Sequence, residues 1–232
     1  MPVTFADIEA AAERIKGAVQ RTPCPPSEPL SIATGCEIYC KLEHMQRTGS
    51  FKERGARNAL LRLPEEQKKK GAITASAGNH ALGLSYHGKL LKIPITVVMP
   101  KFAPLTKITN CQHLGARVIL EGANIEEAKQ FALKVGEEEG RVYINGYDHP
   151  DIIAGQGTIG LELLEQVPDM DAVIIPIGGG GLIAGIALAI KTRRPEVKII
   201  GVEPSRAASF TAALQAGKPV LIPMQPTLAD GL

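Results

Sequence analysis

The chain has no tryptophan, and its aromatic content is only 4%. With a net charge of +2 there is also no strongly basic face, so the ring-and-cation pattern of a nucleic-acid binder is missing and no nucleic-acid partner is expected. No run approaches the roughly 20 apolar residues of a membrane span, so no membrane partner is expected either. The first residues, Met1-Pro-Val-Thr-Phe-Ala-Asp-Ile-Glu9, carry acids where a secretory leader carries bases, which makes the cytoplasm the expected compartment. Cys24, Cys36, Cys40 and Cys111 form no CxxC pair and read as small hydrophobes rather than zinc ligands, so no metal is expected.

What is present is an ordinary globular balance: 232 residues, 44% of them hydrophobic, enough for one large or two modest domains. A helix is expected over 7–19, broken by the Pro-rich piece 22–29, then a strand over 37–43 and a helix over 52–63. Short β-like runs at 72–75, 95–99, 117–120, 142–144, 172–177 and 198–202 then alternate with helical patterns at 79–91, 105–114, 125–138, 151–166, 182–193 and 205–216. Such alternation predicts an α/β fold with parallel sheets covered by helices, and ligands gathered beyond the carboxyl ends of the strands. Lys68-Lys-Lys-Gly71 and Lys191-Thr-Arg-Arg-Pro195 read as solvated helix ends, stopped by glycine and proline.

Three motifs carry chemistry. The run Gly178 to Gly181 follows the apolar Ala172-Val-Ile-Ile-Pro-Ile177 and leads into a helix-like stretch from Leu182, an arrangement that lets backbone N–H groups approach a phosphate at a helix start. It also satisfies the dinucleotide pattern G-x-G-x-x-A over Gly179 to Ala184, with Glu203 near the spacing of a ribose-binding acid, so a nicotinamide enzyme competes at this level. Lys52 opens a helix after the loop Arg47-Thr-Gly-Ser50. It reads either as an exposed first-turn lysine or as a nucleophile suited to Schiff-base chemistry. Ser76-Ala-Gly-Asn-His-Ala81, between a strand and a helix, suits a carboxylate ligand, though Asn79 alone could be an N-cap. Asn145-Gly-Tyr-Asp-His149 and Ala154-Gly-Gln-Gly-Thr158 are weaker signals, compatible with plain turn chemistry.

Together, Ser50-Phe-Lys-Glu-Arg-Gly-Ala56, Ser76-Ala-Gly-Asn-His-Ala81, Ile153-Ala-Gly-Gln-Gly-Thr158 and Pro176-Ile-Gly-Gly-Gly-Gly-Leu182 resemble the serine/threonine dehydratases (threonine ammonia-lyases) and serine racemases. These are pyridoxal-phosphate enzymes of fold type II, similar to the tryptophan synthase β chain. The resemblance runs in order along nearly the whole chain, with Gly201-Val-Glu-Pro204 and Thr227-Leu-Ala-Asp-Gly231 matching too.

The resemblance implies a two-domain fold, with residues 1–45 and 144–232 in a large domain and 46–143 in a small one. It implies pyridoxal 5'-phosphate as cofactor and Lys52 as the catalytic Schiff-base residue, with Phe51 against the ring, Asn79 on the phenolic oxygen, and Gly178, Gly179, Gly180, Gly181 and Leu182 holding the phosphate. Ser76, Gly78, Asn79 and His80 would grip the substrate carboxylate, and Tyr147 would line the cofactor. The implied reaction is β-elimination on L-threonine or L-serine, giving a 2-oxo acid and ammonia, by a homo-oligomer. Ala77 stands where racemases of the family have an acid/base serine, which favours dehydration over racemisation. Family members continue past the 229–231 segment, so the resemblance also implies a chain truncated at its C-terminus. That would leave the pyridine-facing hydroxyl missing, with a binding-only paralogue as the alternative. Ser209 lies near the place of a second acid for the cation site of some relatives, so no cation site is assigned.

Overall fold

The computed structural model describes residues 2–222 together with 227 and 229. Helix α1 (Phe5–Ile15) is fixed at its start by a reciprocal cap: Thr4 Oγ1 accepts from Asp7 N at 3.3 Å, and Asp7 Oδ2 accepts from Thr4 N at 2.9 Å. It buries Ile8, Ala11 and Ile15, the stripe expected of a 3.6-residue period.

Between α1 and the first motif, two sequence expectations need correction. The strand expected over 37–43 is an isolated antiparallel bridge, Pro26 to Tyr39, followed by a 3-10 turn Glu43–Met45. Its partner segment contains Pro23, Pro25 and Pro26: Pro23 O accepts from Leu42 N at 3.1 Å and Pro25 O from Cys40 N at 3.0 Å, and Ser27 N donates to Ile38 O at 2.7 Å, but the prolines have no N–H to return, so no regular ladder forms. The Pro-rich piece also runs into a helix, α2 (Glu28–Thr34), with Pro29 in its first turn where a missing N–H costs nothing.

From there the alternation holds: α3 (Lys52–Arg62), α4 (Glu65–Lys70), β1 (Ala72–Ala75), α5 (Asn79–Leu91), β2 (Ile95–Met99), α6 (Leu105–His113), β3 (Arg117–Leu120), α7 (Ile125–Glu139) and β4 (Val142–Tyr143). It continues through α8 (Pro150–Gln166), β5 (Ala172–Pro176), α9 (Gly181–Arg193), β6 (Lys198–Val202) and α10 (Ser209–Ala216). The four-stranded sheet has the order β3-β2-β1-β4 and the two-stranded sheet is β5-β6; every pairing is parallel. Every residue of β2 is buried, as a strand with both faces covered requires. Val97 and Met99 pack with Leu60, Leu84 and Cys111, while Val98 joins Ile73 and the Ala128–Ala132–Val135 side of α7.

The helix expected over 205–216 is divided into a 3-10 turn Ser205–Ala207 and α10. Glu203 causes the break: its Oε1 accepts from Phe210 N at 3.0 Å and its Oε2 from Thr211 N at 2.7 Å, capping α10 from outside the helix. An acid engaged in this way is a poor ribose ligand, which removes one of the two features behind the dinucleotide reading. Among the described residues no helix is long and apolar enough to cross a membrane.

Helix α8 packs on α1, α3 and α9 at short range because its facing positions lack side chains. A Cβ on Gly155 would lie 2.5 Å from Gly55 Cα of α3, and one on Gly157 would lie 3.0 Å from Gly185 O of α9. A buried ionic cluster locks the same junction. Arg54, 1% exposed, donates from Nε to Glu43 at 2.8 Å and from Nη1 to Glu162 at 2.6 Å; Lys41 Nζ also holds Glu162 and the Thr22 carbonyl. Burial pushes the Glu43 carboxyl up, but the hydrogen bonds and charge of Arg54 outweigh this and hold it below its ordinary value. Arg54→Leu leaves two half-buried carboxylates short of a partner and is expected to cost about 3 kcal/mol by urea unfolding at pH 7. Because the folded carboxyl is depressed, the wild type has the Glu43 contribution in full above the unfolded pKa and loses it as pH falls through the lower folded value. The gap between wild type and variant should therefore narrow in acid, and a gap independent of pH would contradict the assignment.

Candidate active site

Of the helices with eleven or more residues, α1, α7 and α8 have side-chain caps, from Thr4, Asn124 and His149. The other three, α3, α5 and α9, have none; their cap positions are Phe51, Gly78 and Gly180. These are the helices that the three motifs open. At α5 and α9 this leaves backbone N–H groups and the positive end of the helix dipole available to an anion, whereas at α3 the first N–H, on Lys52, is taken by Ser50 Oγ at 3.3 Å.

The turn between β4 and α8 joins the three motifs. Lys52 Nζ donates to Gly146 O at 2.7 Å. Gly146 lies against the ring of His80, where a Cβ would come within 2.8 Å. The next residue, Tyr147, lies over the glycine run: a Cβ on Gly179 would sit 2.1 Å from its ring, and one on Gly181 would sit 2.4 Å from its carbonyl oxygen. Asn145 Oδ1 holds the turn by accepting from Tyr147 N at 3.0 Å and Asp148 N at 3.1 Å. Gly180 has φ of 83°, in the left-handed region where glycine carries no penalty.

Burial alone draws the Lys52 amine down to about 8. Its ammonium lies 5.2 Å from the centre of the Phe51 ring, and Phe51 packs against the cluster that includes Leu182. His80 is buried, and burial together with the nearby Lys52 charge pushes it down to about 3, so the ring is neutral. Its Nε2 is 3.0 Å from Ile144 O, which fixes the proton there and leaves Nδ1 as a buried acceptor without a hydrogen-bond partner among the described residues. Ser76 Oγ accepts from Gly78 N at 3.2 Å. Asn79 is the first residue inside α5 and Gly78 holds the cap position, so the plain N-cap reading of Asn79 does not apply.

This geometry stands beside a family comparison. The family described as pyridoxal-phosphate dependent enzyme matches residues 15–232. The chain belongs to that family. Over 230 residues it is 48% identical to the L-threonine ammonia-lyase of Thermotoga maritima, covering 99% of this chain and 57% of that protein. It is 45% identical to the catabolic L-threonine dehydratase of Escherichia coli, covering 100% of this chain and 70% of the relative. Maize serine racemase superposes on all of the chain with a TM-score of 0.96 at 40% identity, and 70% of that structure is covered. The chain thus spans little more than half the length of the Thermotoga relative.

For this member of the pyridoxal-phosphate-dependent family, the donor set fits the cofactor. An amine with a lowered pKa suits its carbonyl, a side-chain-free cradle with uncapped N–H groups suits its phosphate, and Phe51 supplies a ring beside the lysine as Tyr147 does over Gly179. The structure brings Lys52, Phe51, His80, Tyr147 and the glycine run together. Thr227 and Ala229 are the only members of the 227–231 match among the described residues. The 145–149 turn is a weak signal in the sequence, where only its Asn-Gly pair marks it.

Gly179→Ala and Gly181→Ala are each expected to cost about 1–3 kcal/mol on unfolding. The first meets a ring that can leave, so Tyr147→Ala should recover most of the loss. The second meets a backbone carbonyl and should not be rescued. Double-mutant cycles read by urea melts test this, and simple additivity for the Gly179 pair would refute the contact.

Proposed function

We propose that the chain carries the site of an L-threonine or L-serine ammonia-lyase (dehydratase), releasing a 2-oxo acid and ammonia. The observation that carries this reading is the half-buried Lys52 amine, held on Gly146 O between the carboxylate-type loop and the glycine cradle. When bound, pyridoxal phosphate supplies the electron sink that makes a Cα proton removable.

Lys52 Nζ, with its pKa near about 8, is neutral in a usable fraction at mildly alkaline pH and can accept the Cα proton of a bound amino acid. The α5 start, with Ser76, Gly78, Asn79 and His80, orients the substrate carboxylate through N–H groups that no side chain caps. Gly178, Gly179, Gly180, Gly181 and Leu182 would hold the cofactor's phosphate, and Asn79 would face its phenolic oxygen. Neutral His80 adds no positive charge beside the Lys52 amine.

Elimination is favoured over racemisation because Ala77 has no proton to deliver from the side opposite Lys52. The domain division at 46–143 belongs to the same proposal: the four-stranded sheet falls between 72 and 143 and the two-stranded sheet between 172 and 202.

Incubation with pyridoxal phosphate followed by dialysis should leave a near-visible absorbance band that Lys52→Ala abolishes, and threonine should then yield 2-oxobutyrate. Because the amine must be neutral, turnover should rise with pH through about 8. A stable Lys52-dependent band with no product would replace the lyase reading with that of a binding-only protein. Nucleotide binding with no band would return the site to the dinucleotide class.

A further inference from the structure

Directly after Lys52 stands Glu53, fully buried, with a side chain that the proposed chemistry does not use. Its Oε1 accepts from Thr48 N, in the loop that leads into α3. Its Oε2 makes no hydrogen bond among the described residues and lies 3.4 Å from Nε2 of His87, which is equally buried and equally without another partner at that nitrogen. On the far side of the imidazole, Arg57 Nη1 approaches His87 Nδ1 at 3.4 Å, and the Tyr86 ring meets it edge-on with centroids 4.9 Å apart.

Only one proton arrangement suits these contacts. Arg57 can only donate, so Nδ1 must accept; the imidazole proton is then on Nε2 and points at the Glu53 carboxylate. Burial keeps the ring neutral, in agreement with that assignment. A carboxylate removed from water with one oxygen on a backbone N–H needs a donor for the other, and His87 is the group placed to give it.

The position of His87 gives the pair a consequence for the site. Asn79, Gly83 and His87 recur every four residues along one stripe of α5. At the first, α5 begins at the candidate carboxylate loop. At the second, the absence of a side chain lets the Lys52 backbone approach, since a Cβ there would lie 3.3 Å from Lys52 C and O. At the third, His87 reaches Glu53. Helix α3 has no side-chain cap of its own, so its first turn is held by Ser50 Oγ on Lys52 N at 3.3 Å and by Glu53 reaching back to Thr48.

We propose that the buried Glu53–His87 pair is a positioning device for Lys52, fixing the register of α3 against α5 and with it the place of the lysine amine beside the Asn79–His80 helix start. The inference rests on the reading of Lys52 as the reactive lysine. The pair acts through backbone placement and touches neither cofactor nor substrate.

The test reads the Lys52 amine itself in the cofactor-free protein, by competitive acetylation across pH with peptide mass spectrometry, alongside thermal melts. Wild type should show a midpoint near about 8. His87→Leu removes the donor, loosens the first turn of α3 and admits water to the amine, so its midpoint should rise by about one unit or more towards the ordinary lysine value of about 10.4. His87→Gln, which can donate to Glu53 and accept from Arg57, should stay at the wild-type midpoint. Glu53→Gln keeps volume and an acceptor for Thr48 but turns an NH2 towards His87. It should shift the midpoint in the same direction, and it supplies the reading if His87→Leu does not fold. Lower melting with an unmoved midpoint in both disruptive variants would overturn the positioning role while leaving the site reading intact. An ordinary lysine midpoint in the wild type would overturn both.

Discussion

The arrangement depends on how closely α3 and α9 can approach α8. Helices normally stand 8–10 Å apart because side chains keep their backbones separate. Along α8 the separating atoms are missing at Gly155, Gly157 and Gly160, which face Gly55, Gly185 and Ala189 respectively. One of the flanking helices begins at Lys52 and the other at Gly181. Their starts are therefore set relative to each other by a third helix that carries none of the candidate ligands. A methyl group added at Gly155 would push directly on the α3 backbone, so the spacing between lysine and glycine cradle is a packing constraint before it is a chemical one.

Close approach sets distance but not rotation, and polar contacts fix the rest. Arg54 and Glu53 are adjacent on α3 and serve different neighbours: Arg54 ties the helix to α8 through Glu162 and to the 3-10 turn through Glu43, while Glu53 reaches Thr48 and faces His87 of α5. Lys52 precedes both. The first turn of α3 is thus held from two sides by buried charges, and each is expensive to leave unpaired. Buried ion pairs of this kind are weak evidence of stability, since apolar side chains of equal volume can do as well. Their use here is to make one orientation of the helix start much better than its neighbours.

Much of the fold was legible because the strand runs are short and strongly apolar and the helices between them long. Strands 72–75, 95–99, 117–120 and 198–202 have the boundaries that the pattern predicts. The failure at 37–43 has a specific cause: Ile38, Cys40 and Leu42 alternate with Glu37, Tyr39, Lys41 and Glu43 as strand residues do, but their partner segment is prolyl and cannot return the hydrogen bonds. Hydrophobic periodicity describes one strand, whereas a ladder needs two. The site was legible where it consists of special residue types, as at Lys52 and Gly178 to Gly181. It was illegible where it uses the backbone. The carbonyl of Gly146, which holds the lysine, has no side-chain signature, and the Glu53–His87 contact joins residues that sequence spacing gives no reason to pair.

The distribution of helix caps completes the argument. A chain able to cap α1, α7 and α8 with Thr4, Asn124 and His149 leaves α5 and α9 uncapped, and places a half-buried lysine at the start of α3. Each of these choices is unfavourable alone: the free N–H groups need acceptors, and the ammonium loses hydration. A ligand that brought an anion to the α9 start and a carbonyl to the amine would relieve two of these costs. A simple phosphate would meet only the first and a simple aldehyde only the second, so the cofactor of this family, which carries both functions, fits the pair better than either.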